Sequence, residues 1–388
     1  MKVYLDFYLK PIKKWRRETL AKVSVVFHND IFTPWPATSI IHPIETLLGA
    51  GHQVTVFSWD KGRDDRFNEP TLPVRRVFVR VPVKGSLSYY LFSRELLRKL
   101  VEEKPDLIMA FDLEVLRGAA VAAETLNVPL LYFAREDWPE MVRGNGDFIS
   151  LIRSKMFRRI EKNLCRKVVS HAYSVNDERG RKYVDWGVPY TTIFTTKSLR
   201  EIPIVDEKHE RFSLAMAGSM HELHALSNIL EAIKSVDCDL YLIGGVKENM
   251  GSVKELVRKS GIGEKVHITG PLLQEDYLRE LGKCHVGLSL PFDTDRNKYY
   301  GITVKTWDYM AMGLPSIVSN FPAMISIVEG NGVGISVNPR SPEGIRDAIT
   351  KLEKNYTVMG RKAAEIFRRK YSWEVQQESL RKSFWIFQ

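Results

Sequence analysis

The chain has 388 residues, of which 44% are hydrophobic and 27% charged, with a formal net charge of +10. These values are ordinary for a globular protein, and at ~150 residues per domain the length predicts two or three domains. No apolar run reaches the ~18 residues that a bilayer span requires; the nearest, 119–134, is broken by Glu124, Asn127 and Pro129, and the basic N-terminus lacks the apolar core and cleavage site of a signal peptide.

Elements alternate from the start. Residues 22–27 (KVSVVF) read as a buried strand, followed by a loop to about 38 and a helix to about 48 with Pro43 near its first turn. The GAGH at 49–52 ends that helix, and 53–57 (QVTVF) is the next strand, completing a βαβ unit. Helices are expected at 96–103 and 117–126 and strands at 106–110 and 130–133, then a long helix over 150–165, a strand over 168–174 and a helix over 177–186. Residues 197–211 carry Pro203, many charges and no periodicity, and read as a linker. A second series follows: strands at 213–217, 240–243, 266–268, 286–290 and 334–337, helices at 226–235, 252–260 and 275–283, a helix opened by Ser341-Pro342, and a helical tail over 371–387. Alternation of this kind predicts parallel sheets covered on both faces, with ligands beyond the carboxyl ends of the strands.

Residues 299–319, YYGITVKTWDYMAMGLPSIVS, are the most informative stretch. Thr303 is placed to cap a short helix. Lys305 lies in its first turn and Asp308 three residues on along the same face, and Gly313 and Pro315 stop it before a strand. A helix N-terminus carrying a lysine is suited to phosphate, and an acid one turn deeper to sugar hydroxyls, which together fit a nucleotide-sugar. An ordinary surface ion pair is the competing reading.

At this point the residues resemble a known family. GAGHQVTVFSWD (49–60), KPDLIMAFD (104–112), YFAREDWPEM (132–141), FSLAMAGSM (212–220), VHITGPL (266–272) and, most specifically, VKTWDYMAMGLPSIVS (304–319) follow in order the segments of retaining glycosyltransferases of the GT-B, group 1 or family-four type. The resemblance covers about 22–387. It implies an α/β protein of two facing, doubly wound Rossmann-like domains: an acceptor domain at 1–196 with a basic extension at 1–20, a linker at 197–211, a donor domain at 212–370, and a C-terminal helix at 371–388 returning to the N-domain. The family commonly carries two acids eight residues apart; here these positions are Tyr300 and Asp308. Phe111 and Arg135 stand where histidines are usual, and the donor domain's Arg/Lys pair is not evident, with His221 or His224 as substitutes. The chain is therefore similar to a divergent branch, and the lysine on the helix is also a feature of bacterial glucuronosyltransferases.

By this resemblance the chain is a retaining hexosyltransferase using a UDP- or GDP-sugar and a glycan or lipid-linked acceptor. Gly218, Ser219, Gly270, Tyr300, Gly301, Thr303, Lys305 and Asp308 would bind the donor, with Asp308 on the ribose. The reaction leaves negative charge on the departing diphosphate, which the helix amides and Lys305 would neutralise without a metal or other cofactor. Same-face attack lets the leaving phosphate take the acceptor proton, and Asp112, Glu136 and Asp137, all after N-domain strands, are candidates to orient the acceptor hydroxyl; a cap or a surface ion pair is the plainer role for each.

Other signals point elsewhere. Asp293-Thr294-Asp295 is a DxD of the sort that holds manganese in another glycosyltransferase fold, and is read here as a polar loop near the donor. His221 and His224 lack nearby partners for zinc, and Gly244-Gly245 is not a GxGxxG loop. Cys165, Cys238 and Cys284 form no framework and read as reduced thiols of a cytosolic protein. No nucleic-acid module is present, so nucleic acid is not the expected partner of the positive charge. The basic, aromatic segments 86–100 and 151–168 instead favour an anionic membrane surface, for a peripheral protein at the inner face of the membrane. The missing acid at Tyr300 also allows a catalytically silent partner subunit of a glycan-assembly complex, and the two-domain layout a nucleotide-sugar epimerase.

Overall fold

Short runs of Val, Ile, Leu and Ala form the strands, and several are buried along their whole length because helices cover both faces of each sheet. The computed structural model describes residues 20–29, 38–60, 72–81, 86–144, 146–218, 220, 225–245, 247–294 and 296–385. Two units are present. One runs to Phe194 and resumes at Gln377; the other is Thr195–Gln376.

The first unit holds a seven-stranded sheet, β1 (Lys22–Phe27), β2 (Gln53–Asp60), β3 (Arg75–Arg80), β4 (Leu107–Phe111), β5 (Leu130–Ala134), β6 (Val169–Ser174) and β7 (Tyr190–Thr192), in the order 3-2-1-4-5-6-7. Its helices are α1 (Thr38–Gly49), α2 (Ser86–Glu103), α3 (Leu113–Leu126), α4 (Trp138–Arg143), α5 (Phe148–Lys167) and α6 (Asp177–Asp185). The second unit repeats the plan with β8 (Ser213–Gly218), β9 (Asp239–Gly244), β10 (Val266–Gly270), β11 (Val286–Ser289), β12 (Ser316–Ser319) and β13 (Gly334–Val337), ordered 10-9-8-11-12-13. Helices α7 (Leu226–Ile233), α8 (Lys247–Ser260), α9 (Gln274–Lys283), α10 (Arg296–Tyr299), α11 (Val304–Ala311), α12 (Pro322–Val328), α13 (Pro342–Glu353) and α14 (Tyr356–Ile366) belong to it, and α15 (Trp373–Trp385) ends the described chain. Every strand pair is parallel. This is the two-domain α/β GT-B architecture. Each sheet reverses its strand order once, between β1 and β4 and between β8 and β11, and such reversals open the crevices where doubly wound folds bind ligands.

Three local findings differ from the sequence reading. The stretch expected to be a linker is fastened to the second unit: Lys208 Nζ donates to the carbonyls of Gly282 and Cys284 at 2.6 and 2.8 Å, and His209 stacks on Tyr241 at 4.0 Å. Helix α2 turns Phe92, Leu96 and Leu100 into the first core, so its apolar residues are mostly packing residues. Edge strands β3 and β7 give no clear strand signal in the sequence, because one is half-exposed with arginines at its ends and the other has three residues. The cysteines are buried free thiols. Within the first unit the Tyr173 hydroxyl meets Ser383 Oγ of α15 at 2.7 Å.

Candidate functional site

The second unit's reversal point is closed from one side by α11. Tyr309 runs beneath it between the two strands: the Ala217 N–H donates to its hydroxyl at 3.1 Å, and the hydroxyl donates to the Leu288 carbonyl at 2.9 Å. Gly287 makes room, since a Cβ there would stand 2.2 Å from the ring. One phenol thus fixes the helix to β8 and β11 beside their carboxyl ends. Tyr309→Phe leaves the Ala217 N–H without its acceptor. A stability loss of about 1–3 kcal/mol is expected, read as a lower Tm.

Thr303 occupies the N-cap position of α11, but its hydroxyl bonds to Ser289 Oγ and, at 3.0 Å, to Thr306 Oγ1. It therefore does not cap the helix amides as expected, and leaves them to another acceptor. The Lys305 side chain lies across Gly218 at the end of β8. A Cβ on Gly218 would fall 2.3 Å from Lys305 Cε and 2.9 Å from Nζ, and the backbone φ of +108° further reserves the position for glycine. Gly244, at the end of the adjoining β9 and at φ +100°, packs on the Gly218 backbone, and its N–H donates to Thr269 Oγ1 at 3.0 Å. Gly270 ends β10, also at positive φ. Three neighbouring strands therefore finish in glycines, and the lysine of α11 lies over the one that ends β8.

Burial lowers the affinity of the half-buried Lys305 for its proton, and Asp308 partly opposes this. Asp308 itself is 4% exposed. Tyr277 OH donates to its Oδ2 at 2.9 Å, and Lys197 Nζ lies 3.9 Å from Oδ1. Burial raises its carboxyl above the usual range, against the pull of Lys197, the Tyr277 hydrogen bond and Lys305. An acid expected on the ribose thus points into the domain and sets the electrostatics beneath Lys305. Lys197, Tyr277, Thr269 and Tyr309 were not singled out from the sequence. The one local signal was the tyrosine directly after Asp308.

Tyr300 is half-buried at the end of α10, with the Arg296 guanidinium over its ring at 5.4 Å, and Gly301 is buried beside it. Asp293 of the DxD pairs with Arg340 at 2.6 Å, which lowers its carboxyl pKa and occupies it with a cation. Ser219, His221, His224 and Asp295 lie outside the described residues.

In the first unit the candidates gather at the ends of β4 and β5. Asp112 is 4% exposed and accepts from the Arg135 backbone N–H and Nε, each at 3.0 Å, and from its terminal guanidinium nitrogen. Its φ of +69° and ψ of 165° are strained for a side-chain-bearing residue. Arg135 also reaches Ser39 Oγ at 3.2 Å and covers the Phe27 ring at 4.5 Å. Ligand atoms of His28, Asp112 and Glu114 lie within 4.8 Å of one another, but an arginine on the same carboxylate opposes a metal ion there. Glu136 is half-exposed, 3.6 Å from Arg179. Asp137 is held by Arg158 at 3.5 Å and Lys182 at 3.9 Å. All three acids are thus engaged by cations, and Glu136 is the most exposed of them.

Residues 37–195 match the model of the Glycosyl transferase 4-like domain, and residues 211–355 that of Glycosyl transferases group 1. No curated protein sequence matches the chain. Among solved structures it is similar to sucrose-phosphate synthase from Thermosynechococcus elongatus (TM-score 0.74, 13% identity, covering 94% of this chain and 98% of that one). It is also similar to a glycosyltransferase from Rickettsia africae (0.71, 13%, 95% and 98%) and to Anabaena HepE in complex with UDP and glucose (0.69, 14%, 94% and 99%). At these identities the structural likeness concerns the fold. The two consecutive family matches fall one on each sheet, and with the fold they support a GT-B glycosyltransferase.

Proposed function

We propose that the chain moves a hexose from a nucleotide-diphosphate sugar to a glycan or lipid-linked acceptor, with retention of configuration and with protein groups in place of a metal. The observation that carries this reading is the Lys305 ammonium laid over Gly218 beside the N-terminus of α11. A cation and amides aimed at one place suit a diphosphate whose charge grows as the glycosidic bond breaks. UDP is the favoured carrier because Anabaena HepE, a similar fold, holds UDP and glucose; GDP is the alternative. Gly218, Gly270 and Ser219 would line the nucleotide side and Tyr300, Gly301 and Thr303 the sugar side, with Asp308 tuning Lys305 from beneath. Glu136, being the most exposed, is the favoured acceptor-side carboxylate. A cytoplasmic location at the inner face of a membrane fits a lipid-linked acceptor.

Tyr300, where an acid is usual, favours one second reading: a silent partner subunit or a branch with another sugar, such as a uronic acid. A thermal-shift series in EDTA tests both. Stabilisation by one UDP- or GDP-sugar, followed by donor hydrolysis that Lys305→Ala abolishes, supports an active transferase. The absence of any nucleotide-sugar shift overturns the proposal, and binding without turnover selects the silent subunit.

A further inference from the structure

The outward face of α5 carries an uncovered apolar stripe continued by cations. Phe148, Ile149, Ile152 and Met156 are 77, 60, 51 and 49% exposed. At ~100° per residue they fall within an arc of ~100°, and the buried Ser154, Glu161 and Cys165 lie on the opposite side of the helix. Lys155, Arg159, Lys162 and Arg166 carry the exposed side on toward the C-terminus, and all four are exposed. The only acid in α5 is Glu161, which is 1% exposed and takes hydrogen bonds from Lys182, Tyr132 and Tyr183. The outward face of the helix is therefore apolar and cationic without a compensating acid.

We propose that this face docks lengthwise on an anionic lipid surface, with the apolar stripe entering the headgroup boundary and the basic residues over lipid phosphates. Grouped apolar exposure marks a docking surface, and its charge selects the occupant. A second copy meeting the same face about a two-fold axis would set cations against cations. An amphipathic helix with basic and large apolar residues on its outward side is matched by an anionic bilayer, which takes up both. The inference goes beyond the donor reading and does not depend on it.

The test is co-sedimentation of the full chain with phosphatidylcholine vesicles, with and without phosphatidylglycerol. Pelleting is expected only with the anionic lipid, weakening as salt rises from about 0.1 to about 1 M, where screening shortens to about 3 Å. The combined Phe148→Ser, Ile149→Ser and Ile152→Ser variant should lower vesicle partitioning by about tenfold or more. A separate Lys155→Glu, Arg159→Glu and Lys162→Glu variant should abolish the preference for anionic lipid. Unchanged melting of both variants without vesicles, and an unchanged shift with UDP wherever the wild type shows one, separate this result from misfolding and from the donor site. The proposal is overturned if the wild type does not pellet, if the variants pellet equally, or if the apolar variant only converts a dimer to a monomer.

Discussion

Lys305→Ala is expected to lower donor hydrolysis by about 100-fold or more, the usual cost of removing one preorganised charge stabiliser from a transition state. Gly218→Ala should cost nearly as much although it removes nothing. The new methyl group claims the space of Lys305 Cε, and the φ of +108° resists any side chain. Because both changes act on one ammonium, the double variant should be little worse than either single one. Initial rates of nucleotide release at saturating donor, with circular dichroism to check folding, give the comparison. Additive losses would mean that Gly218 and Lys305 act separately. Burial lowers the lysine pKa, so donor affinity should decline on the alkaline side at a pH below that of an ordinary lysine. That limb should vanish in Lys305→Ala.

The second large effect belongs to stability. Asp112→Ala removes the carboxylate that holds Arg135 and should destabilise the first unit by about 3 kcal/mol, the cost of stranding one member of a buried pair. Asp112→Gly also loses the pair but relaxes the strained backbone. It should recover about 1–3 kcal/mol relative to alanine. Denaturant melts of the three proteins test both figures. An Asp112→Ala protein with unchanged stability and no turnover would reverse the assignment and make this acid catalytic.

The architecture could be read from sequence because the strands are buried on both faces. Runs such as LIMAF and LLYFA need no partner to be recognised. Signals failed where tertiary contact decides. Helix α10 has four residues and β7 three, too short for a period to develop. At the site, the spacing of Lys305 and Asp308 was legible, but their directions were not. One crosses Gly218, 87 positions earlier in the sequence, and the other turns inward to Tyr277 and Lys197. Nor could the acidic candidates of the first unit be ranked before their arginine partners were placed.

The Lys197 pairing also bears on how the second unit can be dissected. Besides standing 3.9 Å from Asp308, Lys197 offers its carbonyl to the Trp373 N–H at 2.8 Å, while Glu374 accepts from Ser198 Oγ at 2.6 Å and from the Leu199 N–H at 3.1 Å. The first and last turns of this half are thus stitched together beside the lysine that neutralises a buried acid. A fragment beginning at Phe212, where the regular strands resume, would discard that lysine and loosen both ends. One spanning Thr195–Gln376 keeps the stitch, and is the portable unit for moving this sheet and its site into another protein.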